Sequence, residues 1–528
     1  MREHFKSLLL LTLVGALAGC GDRSAQWDTR FENRGTAQVE GALAVVDEGL
    51  HRAVFLTAPR GLELEASYVP VGKDVRTVQA APDGKRLFLL SRGEQPRREP
   101  DDQEARFTVI DVAAGVPSVL RVDPLEQALT GLAIDPQGEW AVIFAGPDSS
   151  NGLVTNPNEL ILVSLSDPST EPVSKTLRSE GGQPSRLSFT REINLPDGST
   201  GRFLIVEREH DLALVDLGNL ERSDITVGSP QNSNERDASP AAVVYYPGDD
   251  ENNAQFAVRY TDDNSVGVLE LHPPENDAQQ FSLSYNLVDV GGVASAIEFV
   301  HTDAGVRLAA VVPTTSAAVL VDTVTSETTI VDLDFSYTGL ELVTEDVAAR
   351  PDQSDVALLF SNQATAVGFW ALGKTSGQPY RSLESQDIGV SVNSVYDVPG
   401  ETFAHYKVLK SNQGGEFFVL DLNQRETYPM LTLSSLELRV APNGERMWAF
   451  ERGGTGLARV TFDNLHPVSL ATERPIGDVF DVQRGDLGSS VIALHLDGEG
   501  LGATVFDALD PDTAHSAFYS GFELGGIQ

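Results

Sequence analysis

Nine histidines, one cysteine and two short acidic runs are the parts of this 528-residue sequence whose types and spacing have chemistry to offer. No two histidines stand at i, i+2 or i, i+4, so no local zinc pair exists, and any metal or proton-transfer site must be gathered from distant segments. The acidic runs are "GDDENN" at 248–253 and "TDDN" at 261–264, flanking an apolar stretch. Asp249, Asp250, Glu251, Asp262 and Asp263 are oxygen donors of the kind Ca²⁺ takes, and they are the chain's candidates for a metal. The expected reading of the same residues is nevertheless a solvated hairpin with its charges in water, since a calcium site needs carbonyls and carboxylates at fixed spacing and no EF-hand spacing occurs. A G-x-S-x-G elbow and a phosphate-cradling G-x-x-x-x-G-K-[ST] are both missing. No catalytic set and no cofactor is therefore expected, with Ca²⁺ the one ion for which donors are present.

Such residues act only where elements hold them, and the elements here repeat. "APDGKRLFLLSRG" at 81–93 returns as "APNGERMWAFERG" at 441–453. Proline presets φ for a turn, and Asp-Gly or Asn-Gly supplies residues that tolerate positive φ. Similar turns sit near Asp47, Gln137, Asp197, Asp249, Asp303, Asp352, Gly400 and Asp486. Each precedes an apolar strand such as "RLFLLS" or "EWAVIF". A third strand often ends in an acidic residue, as in "FTVIDV" with Asp111 and "FFVLDL" with Asp421, and a weaker fourth closes the unit. Continuous apolar runs suit sheets covered on both faces, whereas strands of a two-layer sandwich alternate apolar and polar. The charged insertion "QPRREPDDQEAR" at 95–106 falls between second and third strands and reads as a loop over one face.

Four strands per unit, about 40–50 residues long and repeated many times, are the sign of a β-propeller. The units resemble the YVTN and WD-like propellers of bacterial secreted proteins, in a degenerate form that lacks the YVTN tetrapeptide itself. The fold expected is all-β, from about ten units, the first of them incomplete. One large ring, seven or eight blades with insertions, or two rings all satisfy the count. In that frame His301, in "IEFVHTDAG", ends an innermost strand and faces the channel mouth.

The N-terminus carries a different message. "MREHFKSLLLLTLVGALAGC" has a basic start at Arg2 and Lys6, a short apolar run, and small residues before Cys20, the layout of a secretory signal. Leu17-Ala18-Gly19-Cys20 resembles the lipobox of bacterial lipoproteins. The resemblance implies cleavage before Cys20, acylation of that cysteine, and anchorage in the cell envelope. Gly21 after the cysteine implies the outer membrane rather than the inner. The chain thus divides into a signal peptide at 1–19, a lipidated tether at 20–38, and a propeller at 39–528.

Composition bounds the partners. The chain is 41% hydrophobic, enough for a large core, and its net charge is −39 without a basic cluster, which argues against nucleic acid. The expected function is a membrane-anchored, non-catalytic binding or scaffold module for envelope proteins, peptides or glycans. Two alternatives stay open by resemblance: a lactonase-like propeller hydrolase, and an accessory factor in outer-membrane assembly.

Overall fold

The computed structural model describes residues 31–520, apart from stretches at 113–115, 147–148, 150–153, 179–181, 231–237, 250–251, 275–278, 303, 344–355, 373–381, 412–415, 433–435, 484–487, 497–501 and 512–514. Ten four-stranded antiparallel sheets follow one another along the chain. They span 33–70, 75–125, 131–176, 184–228, 240–289, 296–332, 339–387, 392–432, 436–471 and 478–520, and are numbered here as blades 1 to 10. A two-stranded hairpin, Ile193–Asn194 with Thr200–Gly201, is inserted after the first strand of blade 4. Among the described residues no helix is long and apolar enough to cross a membrane.

The physical reason for the architecture lies in the middle strands. Leu87 to Leu90 of blade 2 are all buried, as are Phe203 to Arg208 of blade 4, so both faces of each sheet must be covered. One apolar cluster lies between every successive pair of blades. The tenth joins the ends: Leu43, Val45, Val54 and Leu56 of blade 1 pack on Phe480, Val482, Ile492 and Leu494 of blade 10. The blades therefore close into one ring of ten. Among the described residues no strand is shared across the closure, because blades 1 and 10 each use four consecutive strands. Side chains reinforce it: Ser490 Oγ donates to the Gly61 carbonyl at 2.9 Å and Tyr519 Oη to that of Leu62 at 2.8 Å.

The first strand of each blade lies at the axis, where Pro240–Tyr246 touches Ala296–Thr302, which in turn touches Gly339–Val343. Each blade then runs outward. Its upper face holds the turns between second and third strands and the links between blades. Its lower face holds the other two turns.

Two expectations need correction at the N-terminus. The first blade is complete, and its inner strand, Asn33–Val39, takes residues 33–38 from the stretch read as tether. That strand is polar because it covers little core, burying Ala37 and Val39 alone. The turn near Asp47 also lies between second and third strands, not between first and second, since Ala42–Asp47 is already the second.

The repeated phrases are turn devices. In both copies the first alanine donates to the arginine carbonyl (Ala81 to Arg86 at 2.8 Å, Ala441 to Arg446 at 2.9 Å), and the glycine donates back to the alanine. Asp135 to Trp140 builds the same turn. The aspartate that ends a third strand caps the turn after it. Oδ1 of Asp322 accepts from Val324 and Thr325 at 2.9 Å, and Oδ1 of Asp421 accepts from Asn423 and Gln424 at 2.8 and 2.9 Å. These carboxylates hold turns, as Asp side chains commonly do.

Candidate functional site

Of the sequence's candidates, His301 and Asp249 come together on the lower face of blades 5 and 6. His301 is the penultimate residue of blade 6's inner strand and is exposed. Its ring meets that of Tyr246 edge-on, with centroids 5.7 Å apart. Tyr246 ends the inner strand of blade 5 and is buried, and its hydroxyl donates to Asp249 Oδ2 at 2.5 Å. Burial first, and then the Asp249 carboxylate, hold the Tyr246 phenol well above its ordinary range, so it stays protonated and donates. Asp249 Oδ1 also accepts from the Asn252 backbone at 2.6 Å and its amide at 3.0 Å. The loop leans on blade 4, where Asn194 donates to the Pro247 carbonyl at 2.7 Å. Tyr246 escapes a reading of the sequence because an aromatic at a strand end looks like core; only its place three residues before Asp249 hints otherwise.

The two acidic runs do not meet. Asp249 precedes the strand Gln255–Tyr260, while Asp262 and Asp263 follow it on the upper face. Six residues of strand separate the runs by about 20 Å, whereas Ca²⁺ ligands sit about 2.3–2.6 Å from the ion. The clusters therefore cannot share one ion. Asp263 Oδ1 instead accepts from Ser265 at 2.7 Å, and Asp262 takes a turn position with φ 57°. Asp250 and Glu251 lie outside the described residues, as does Cys20. Among the described residues no group of three or more His, Cys, Asp or Glu is arranged to hold a metal.

Outward from this group, a cleft of about 380 Å³ opens between blades 4 and 5, lined among others by Asp216, Arg222, Pro273 and Phe281. Arg222 Nη1 reaches Asp216 Oδ2 at 2.9 Å, and its guanidinium sits 5.5 Å from the centre of the Phe281 ring. Ser199 in the inserted hairpin donates to Asp197 at 2.6 Å. These lining groups bond one another and shape a half-apolar concavity.

Near the axis, opposite charges pair across blades. Lys407 of blade 8 bonds Glu341 of blade 7 and Asp397 of its own blade. Arg439 of blade 9 reaches Asp478 of blade 10 at 3.0 Å. His495, 1% exposed, is a strut: Nδ1 donates to the Pro475 carbonyl and Nε2 accepts from Thr504 Oγ1, each at 2.8 Å. Burial pulls its pKa below the usual histidine value, in keeping with a neutral ring.

Ten radial four-stranded blades closed around an axis make this chain a ten-bladed β-propeller. It matches no protein-family model and no curated protein. Among solved structures it is similar to a eukaryotic initiation factor, at 9% identity and TM-score 0.43, covering 92% of this chain and 96% of that one. It is similar to dihydro-heme d1 dehydrogenase NirN in complex with DHE, at 14% identity and TM-score 0.38, covering 76% and 75%. The WD40 domain of SCAP from fission yeast is similar at 9% identity and TM-score 0.37, covering 82% and 89%.

Proposed function

We propose that this chain is an envelope lipoprotein, acylated at Cys20 and held at the outer membrane, whose propeller binds partners without catalysing a reaction. The observation that supports binding is the use of charge. Glu341, Asp397 and Asp478 near the axis are paired with cations between or within blades, and Asp216, Asp322 and Asp421 cap turns or hold arginines. Two broad faces of turns meet solvent, and the lower one carries the Arg222–Phe281 cleft. Such a rigid, concave surface suits envelope proteins, peptides or glycans.

Mass spectrometry of the mature N-terminus is expected to find an acylated Cys20, and Cys20→Ser to leave the protein unprocessed or released. An unmodified peptide running through Gly19-Cys20 would overturn the anchor. Capture from detergent-solubilised envelopes is expected to return a partner whose yield falls in an Arg222→Ala, Phe281→Ala variant. Lactone or ester hydrolysis by the purified protein that His301→Ala abolishes would overturn the non-catalytic reading.

A further inference from the structure

We infer that the rim of blade 2 is a contact face for a second copy of this chain. Eight large apolar side chains are exposed among the described residues, and four of them, Val116, Val119, Leu120 and Val122, fall within seven consecutive positions. They are 73%, 42%, 45% and 45% exposed. The other four are spread over blades 5, 6 and 10. Apolar residues scattered singly need no explanation, whereas a contiguous group marks a surface that something covers.

The outer strand of blade 2, Ser118–Leu125, has its charges turned inward. Arg121 and Asp123 have side chains only 8% and 11% exposed and pair at 2.6 Å. Arg121 also donates to the Ser164 and Thr170 carbonyls of blade 3, at 3.3 and 2.7 Å. Pairing with Ala105–Asp111 shows how the apolar side comes to face out. Arg121 lies opposite Val109 and Asp123 opposite Phe107, and both partners belong to the cluster shared with blade 3. Val122 lies opposite Thr108, on the other face. In unbroken alternation Val119 would follow Arg121 toward blade 3. The register instead shifts, with Val109 opposite Arg121 and Ile110 opposite Val119, so Leu120 is the extra residue of a bulge. The bulge carries Val119 to the face of Val122. No residue of Ser118–Leu125 joins the described cluster between blades 1 and 2, so the aliphatic row meets solvent.

The bulge and Pro124 disrupt the outer hydrogen-bonding edge, so the strand is poorly suited to accept a fifth strand and the contact is between side chains. Charge selects the partner. With Arg121 and Asp123 closed on each other, Val116 to Leu120, Val122 and Pro124 present no charge, on a chain whose net charge is −39. A cationic partner would be drawn to the acidic surface and has no need of an uncharged strip. A partner as acidic as this chain can approach only where charge is absent, and a second copy is such a partner. A row of aliphatic side chains is also complementary to itself, as a two-fold contact requires. Four partly exposed side chains fall short of the roughly 800 Å² per partner of a standard interface, so the dimer is weak and reversible.

Sedimentation of the full-length chain in density-matched detergent tests this. Mass is expected to double reversibly, with a midpoint between about 10 µM and about 1 mM. That midpoint should fall several-fold as NaCl rises from about 0.05 to about 0.5 M, because salt screens like charges. Leu120→Lys with Val122→Lys, both at exposed positions, should weaken the dimer about tenfold or more. The two lysines make each chain less negative and so reduce its overall repulsion, and a weaker dimer therefore traces to the patch itself. Ile330→Lys, at a residue 68% exposed on the outer strand of blade 6, should behave as the unaltered chain does. A chain that stays monomeric up to about 1 mM overturns the inference. A dimer indifferent to the lysine pair overturns it too, as does an equal loss in Ile330→Lys. Association that weakens as salt rises also overturns it, since that sign marks a contact between opposite charges.

Discussion

Replacing Asp481 with alanine is expected to destabilise the propeller by about 3–5 kcal/mol, the cost of stripping one partner from a buried ion pair. Asp481 is 2% exposed, on the inner strand of blade 10. Its Oδ2 accepts from Arg446 Nε at 2.6 Å and from Trp448 Nε1 at 3.0 Å, both on the second strand of blade 9. Its backbone carbonyl accepts from the Gln38 amide of blade 1. One residue thus ties the last two blades together at the point where the ring closes. Without it, the Arg446 guanidinium is left buried beside an indole N–H that has lost its acceptor. Arg446→Met in the Asp481→Ala background should recover much of the loss, because an apolar side chain needs no counter-charge. Urea midpoints of the propeller compare the variants. A loss under about 1 kcal/mol would place the pair among those that contribute little.

Gly84 and Gly444 stand at equivalent places in the repeated phrase and both hold positive φ, 71° and 66°. The sequence leads one to expect equal cost when either acquires a side chain, about 1–3 kcal/mol for the left-handed backbone alone. The structure separates them. A Cβ on Gly444 would fall 1.7 Å from the Pro399 carbonyl oxygen, whereas one on Gly84 would lie 3.2 Å from the Glu40 nitrogen. Gly444→Ala must therefore move the adjoining turn of blade 8 as well. It is expected to cost clearly more than 3 kcal/mol, above the backbone penalty, while Gly84→Ala stays within that range. Thermal melts of the two variants side by side check this, and matching losses would contradict it.

What the amino-acid order determines by itself here is local. An antiparallel blade is built from strands joined by short turns, so its markers recur within about 50 residues, and the turn chemistry at 81–86 and 441–446 is legible in the residue types alone. The acidic end of each third strand is legible too, although its purpose as a turn cap is not. Ring size is not legible, because it depends on the angle at which neighbouring blades pack, a property of the apolar clusters between them and not of any one repeat. The inner strand Asn33–Val39 reads as tether for a related reason: it buries too little to show a hydrophobic pattern, and only its pairing with Ala42–Asp47 makes it a strand. Tertiary structure also decided the fate of the acidic runs. Asp249 and Asp263 are close in sequence, yet the strand between them carries the chain from the lower face to the upper, so one carboxylate meets Tyr246 and the other closes a turn. Proximity along a chain becomes proximity in space only where the backbone turns back, and between these two it runs straight.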